Sequence, residues 1–138
     1  MPDVMGRIEF LPRLSRDEFM NAMAVADVLL DTLHFGGGNT TLEALAFWTP
    51  VVTLPSEFLR CRLTEGFYKK MGVLDCVAHS PQEYIDIAVR LGTDPNYRQQ
   101  VKDRILATNH VLYENLAAVR ELEGFFQWAI DQASQEGR

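Results

Sequence analysis

The sequence predicts an α/β protein, a Rossmann-like parallel sheet of about four strands with a helical C-terminal tail. Three observations predict it. Short apolar runs at "RIEFL" (7–11), "DVLLDT" (27–32), "VVTLP" (51–55) and "DCVA" (75–78) alternate with stretches of helical periodicity. Strands that alternate with helices imply right-handed crossovers between parallel neighbours. After Asp94 the strand pattern stops and only helical patterns continue.

Each element has its own local reason. "RIEFL" alternates apolar and polar residues and precedes Pro12, which reads as a strand and its end. Ser15 with Glu18 three residues on forms a capping box for a helix through "RDEFMNAMAVA", whose Phe19, Met23 and Ala26 share one face. "DVLLDT" and "VVTLP" are continuous apolar runs of the kind buried on both faces of a parallel sheet. Between them a helix is expected from about Thr40 to Trp48, with Thr40 and Glu43 as a second capping box. "RLTEGFYKKMG" reads as a helix ended by Gly72. "SPQEYIDIAVRLGTD" reads as a helix capped by Ser80 with Pro81 at its first position. "PNYRQQVKDRILATN" continues as helix. A long last helix is expected from Glu114 to about Ser134, with Val119, Leu122, Phe126, Ala129 and Ala133 on one apolar stripe. That stripe packs on its own sheet, or it meets another surface, which is either the half of a parent enzyme outside this sequence or a second copy that makes a homodimer.

The bulk composition sets limits. With 138 residues, 47% of them hydrophobic, the chain suffices for one core, so residues 1–138 read as a single domain: a β/α unit over 1–94 and C-terminal helices over 95–138. A net charge of −6 with no clustered basic face argues against a nucleic-acid partner. The longest apolar stretch, "AMAVADVLL", is broken by Asp27 and falls short of the roughly 20 residues of a membrane span. "MPDVMGRIEF" carries no signal-peptide pattern, so a cytoplasmic location and no membrane partner are expected. Cys61 and Cys76 form neither a disulfide framework nor a metal-ligand spacing and read as ordinary small side chains. Of the three histidines, only His34 borders the glycine run.

That run, "FGGGNTT", joins the carboxyl end of a predicted strand to the amino end of a predicted helix. In parallel sheets ligands lie at this edge, and a helix amino end offers unpaired N–H groups to an anion. Gly36, Gly37 and Gly38 would let a ligand approach the backbone, because no Cβ intervenes. The spacing is neither GxGxxG nor GxxxxGKS, so neither the dinucleotide fingerprint nor the P-loop is present. A plain turn is the alternative reading. Glu43 likewise has two roles open to it, partner in a capping box or acceptor for ribose hydroxyls. Thr40 and Thr41 read as caps or as hydroxyl donors to phosphate.

The stretch "ADVLLDTLHFGGGNTTLEALAFWTPVVTLPSEFLRCRLTEGFYKKMGVLDCVA" resembles the carboxy-terminal half of the catalytic region in glycosyltransferases of the O-GlcNAc transferase (SPINDLY-like) family, bacterial members with tetratricopeptide repeats in particular. The resemblance runs from roughly Arg7 to Asp94. It implies the C-terminal domain of a GT-B fold and a UDP-sugar donor, UDP-GlcNAc. The sequence offers no Asp-x-Asp pair and a helix amino end can do that electrostatic work, so neither a metal ion nor another cofactor is expected. Carried over, the resemblance places the diphosphate at Gly38, Asn39, Thr40 and Thr41 and the ribose at Glu43, with His34 to Gly37 lining the sugar-diphosphate side. Arg62 stands where the family has an arginine; pairing with Glu65 or Asp75 is its other reading. The resemblance further implies a fragment of a longer enzyme that holds no catalytic residue of its own, with the protein acceptor bound through an N-terminal half outside this sequence.

Overall fold

Local hydrogen-bonding chemistry sets most of the helix boundaries. The computed structural model describes residues 2–136. A short α1 (Pro2–Met5) is followed by α2 (Arg16–Val25), where the Ser15–Glu18 capping box forms in both directions. Next come β1 (Leu29–Leu30), α3 (Asn39–Ala46), β2 (Val51–Val52), a 3₁₀ turn (Leu59–Cys61) and α4 (Leu63–Met71). The chain continues with α5 (Pro81–Thr93), α6 (Pro95–Thr108), a second 3₁₀ turn (Asn109–Leu112) and α7 (Leu116–Glu136). Ser80 caps α5 through the Glu83 amide, with Pro81 in the first turn. Asp94 ends α5 and caps α6 by accepting from the Tyr97 amide at 3.0 Å. No helix among the described residues is long and apolar enough to cross a membrane.

The sheet is smaller than its sequence pattern. β1 and β2 pair in parallel, Leu29 opposite Val51 and Leu30 opposite Val52. A single further bridge joins Thr53 to Val77. Two paired strands therefore replace the expected four. The 75–78 segment contributes one bridge, in which the Thr53 amide donates to the Cys76 carbonyl and the Ala78 amide to the Thr53 carbonyl, both at 2.9 Å, while the next amide on that edge, that of Val51, is taken by the Tyr68 hydroxyl. The 7–11 segment forms no strand: the Arg7 and Ile8 amides close a turn onto Val4 and Met5, and Pro12 has no amide to offer a ladder. Phe10 is left 91% exposed. Alternation describes a strand only once a neighbouring strand takes up its hydrogen bonds.

Two helices end in the same motif with different residues. After α4 the Val73 amide reaches the Tyr68 carbonyl and Gly72 takes the left-handed position at φ 72°. After α3 the Thr49 amide reaches the Ala44 carbonyl, and the left-handed residue is Trp48 at φ 60°. The expected continuation of α3 to Trp48 therefore stops at Ala46.

The core gathers Leu45, Val52, Tyr68, Leu91, Val101 and Ile105, all fully buried, so α6 belongs to the same core as the β/α elements. The Tyr68 hydroxyl accepts the Val51 amide at 2.9 Å, a side chain standing where a further strand would. Met23 of α2 packs with Ala44 and Val51, while Phe19 on the expected inner face is 39% exposed. The segment after α6 clamps α3 from outside: Asn109 Nδ2 donates to the Leu45 carbonyl at 2.9 Å and the Tyr113 hydroxyl to the Leu42 carbonyl at 2.7 Å. Asn115 caps α7 through the Ala117 and Ala118 amides, which moves its start from the expected Glu114 to Leu116. α7 does not pack on the sheet, and Val119, Leu122, Phe125, Phe126 and Trp128 are each half exposed or more.

Candidate functional site

β1 ends at Leu30, and the chain then runs from Asp31 through the three glycines into α3. Asp31 is the first polar residue after an apolar strand and is 8% exposed. A carboxylate at that depth is costly unless hydrogen-bonded. Its Oδ1 accepts the Gly37 amide at 2.7 Å, and its Oδ2 accepts the Thr53 hydroxyl at 2.9 Å. The backbone of Asp31 is held as well, its amide on the Val52 carbonyl and its carbonyl on the Tyr84 hydroxyl, both at 2.9 Å.

The glycines serve this internal packing. A Cβ on Gly37 would stand 2.5 Å from Thr41 Oγ1, and one on Gly36 would stand 3.2 Å from both the Arg60 carbonyl and Asp31 Oδ2. The nearest atom to a Cβ on Gly38 is Leu63 Cδ1, at 3.7 Å. The amide of Gly36 donates to the Arg60 carbonyl at 2.8 Å. Two of the three glycines thus give up their N–H groups to the protein itself.

α3 begins at Asn39 with Gly38 at its cap position, and no side chain caps it. The expected capping box of Thr40 and Glu43 is therefore absent: Thr40 is already inside the helix. The first helical hydrogen bond runs from the Leu42 amide to the Gly38 carbonyl at 3.1 Å. None of the amides of Gly38, Asn39, Thr40 and Thr41 has an acceptor among the described residues. These four unpaired donors and the helix dipole give this end a positive potential.

The predicted site residues separate around it. Gly37, Thr40 and Thr41 line a cleft of about 280 Å³ with Asp31, Phe35 and Val51. Glu43 and Asn39 lie on the other side of α3, in a shallow hollow with Met20 and Tyr113. His34 lies further out beside Tyr84. Thr41 is 2% exposed and its hydroxyl meets that of Thr64 at 3.1 Å, whereas Thr40 is exposed. Arg62 pairs with Glu65 at 3.4 Å, and Lys69 binds the same carboxylate at 2.7 Å and holds its pKa below the usual value. The arginine against the glycine loop is Arg60, whose Nε donates to the His34 carbonyl at 3.1 Å while its guanidinium lies 4.4 Å from the centre of the Phe58 ring. Asp31 and Arg60 were not singled out from the sequence, and only the fold reveals their roles. No group of three or more potential metal-ligating side chains occurs among the described residues.

Known proteins are similar to this chain in sequence and in fold. The UDP-N-acetylglucosamine--peptide N-acetylglucosaminyltransferase of Caenorhabditis elegans is 36% identical over 100 residues, covering 72% of this chain and 9% of that protein. A probable SPINDLY enzyme of the same description from Solanum lycopersicum is 26% identical over 126 residues, covering 88% of this chain and 13% of its own. The structure superimposes on that of a mutant O-GlcNAc transferase from Thermobaculum terrenum with a TM-score of 0.83 and 30% identity, over 96% of this chain and 26% of the other. The chain thus spans about a tenth of these curated relatives' length and a quarter of the solved one. Residues 4–120 match the description of Glycosyl transferase family 41, and the chain belongs to that family of glycosyltransferases.

Proposed function

We propose that this chain is the donor-binding region of a protein O-linked N-acetylglucosaminyltransferase and holds the UDP part of a UDP-sugar at the amino end of α3. The observation that carries the reading is the uncapped start of that helix, where the amides of Gly38 to Thr41 are unpaired beside the exposed Thr40 hydroxyl. Such an end accepts phosphate oxygens. In transfer to a Ser or Thr hydroxyl, negative charge grows on the departing diphosphate, and donors fixed in advance stabilise it. Glu43, a turn further along, is the candidate acceptor for the ribose hydroxyls. The acceptor protein and the groups that act on its hydroxyl belong to parts of the parent enzyme outside this sequence, so the chain alone binds the donor and does not transfer the sugar.

The exposed apolar face of α7 favours a second element of the reading, pairing of two chains through this helix.

Titrating UDP into the isotope-labelled chain and following backbone amide shifts tests the site. The expected result is shifts concentrated at residues 38–43. Shifts absent at millimolar UDP, or scattered away from α3, would overturn the reading.

A further inference from the structure

We infer that Asp31 is a positioning residue, which turns the glycine loop so that phosphate meets the amides of Gly38 to Thr41 and not those of Gly36 and Gly37. The inference rests on the donor-site reading above and adds to it the device that presents the donors.

The geometry carries it in three steps. First, the Gly37 amide is occupied by Asp31 Oδ1 at 2.7 Å and the Gly36 amide by the Arg60 carbonyl at 2.8 Å, so neither is free for a ligand. Second, Asp31 is fixed from several directions: its second oxygen by Thr53 of the β2 segment, its backbone by Val52 and by Tyr84 of α5. The carboxylate transmits the position of the sheet to the loop. Third, the glycines are shaped to the carboxylate, since a Cβ on Gly36 would press on Asp31 Oδ2 at 3.2 Å. Asp31 also lines the cleft that Thr40 and Thr41 border.

Three variants of the full chain test this: Asp31→Asn, Asp31→Ala and Thr53→Val. An asparagine keeps an acceptor for Gly37 and a donor for the Thr53 oxygen. Asp31→Asn should therefore hold the hydrogen-exchange protection of the Gly37 amide and keep UDP affinity within about threefold of the parent. Asp31→Ala should speed Gly37 exchange and weaken UDP binding, each by about tenfold, a charged hydrogen bond having been lost, while the core amides of α4 and α6 keep their protection. Thr53→Val loosens only one carboxylate oxygen and should speed Gly37 exchange by a smaller factor, which preserves the test if Asp31→Ala does not fold. Unchanged Gly37 exchange in the alanine or valine variant would overturn the inference. So would an asparagine variant as impaired as the alanine one. A parent chain that ignores UDP would remove the donor-site reading, and Gly37 exchange would still decide whether Asp31 orders the loop.

Discussion

The hydroxyls of Thr41 and Thr64 meet at 3.1 Å in the interior and tie the first turn of α3 to the first turn of α4. Thr64 also reaches the Gly37 carbonyl at 3.4 Å. The two adjacent threonines of "NTT" therefore have different work. Thr41→Val should lower stability by about 1 kcal/mol, the usual net worth of a buried hydrogen bond, as read by denaturant unfolding. Thr40→Val should leave stability unchanged and weaken UDP binding. A Thr40 variant with normal UDP affinity would remove that hydroxyl from the site.

Adjacent glycines should also differ. Gly37→Ala forces a methyl to within 2.5 Å of Thr41 Oγ1, an atom of a buried side chain with little freedom to move. A loss of about 1–3 kcal/mol is expected, as for other overpacked sites. Gly38→Ala meets only Leu63 at 3.7 Å at a negative φ, so its melting temperature should stay close to that of the parent. Equal melting temperatures for the two variants would contradict the packing described.

Glu43 takes no part in capping α3, which has Gly38 at its cap position. Glu43→Gln should accordingly keep the parent's melting temperature while UDP binding weakens by about tenfold, the value of a hydrogen bond to a charged group. Calorimetric titration beside thermal unfolding separates the two effects. Unaltered affinity would take Glu43 out of the ribose site.

What could be read from the sequence was what short spacing controls. The Ser15–Glu18 box, the Ser80 cap with Pro81 and the left-handed Gly72 each depend on a few neighbouring residues, and each forms. The 7–11 strand failed because its alternation says nothing of a partner, and the chain turns back at Arg7 and Ile8 instead. Thr40 and Glu43 have the spacing of a capping box, but Gly38 starts the helix two residues earlier than that box requires. Asp31 looked like part of an apolar run. Its partners Gly37 and Thr53 lie 6 and 22 residues away, and only the folded loop brings them together. Arg60 and Arg62 are equivalent on paper, and the fold gives them different neighbours, Arg62 the carboxylate of Glu65 and Arg60 the carbonyl of His34.

Burial pushes the Cys76 thiol from 9.0 up to about 12. Above pH 9 the unfolded chain releases this proton while the folded chain keeps it, so the stabilisation present below pH 9 is lost as pH rises towards 12. The expected slope is about 1.4 kcal/mol per pH unit. Burial also raises Tyr68 well above 10.0, adding a second loss at higher pH. Urea midpoints measured across this range should fall for the parent from pH 9, whereas Cys76→Ala should stay level until tyrosine begins to ionise. An identical alkaline limb in both proteins would show that Cys76 is not the group responsible.

The apolar residues of α7 at 119, 122, 126, 129 and 133 are spaced by three and four, the repeat of a helix that pairs with another. Sedimentation should show concentration-dependent dimers, and Phe126→Glu should return the chain to monomer without changing its melting temperature. Monomer at all concentrations in the parent would count against pairing through this helix.

The clamp of Asn109 and Tyr113 on α3 fixes how far the chain can be cut back. Their donors reach carbonyls 64 and 71 residues earlier, so α3 is secured by the segment beyond α6. A protease should trim the exposed α7 and halt near Tyr113, leaving a core that still melts cooperatively. Removing the next few residues as well would free the carboxyl end of α3, and the smallest unit that keeps this helix in place therefore ends at that tyrosine.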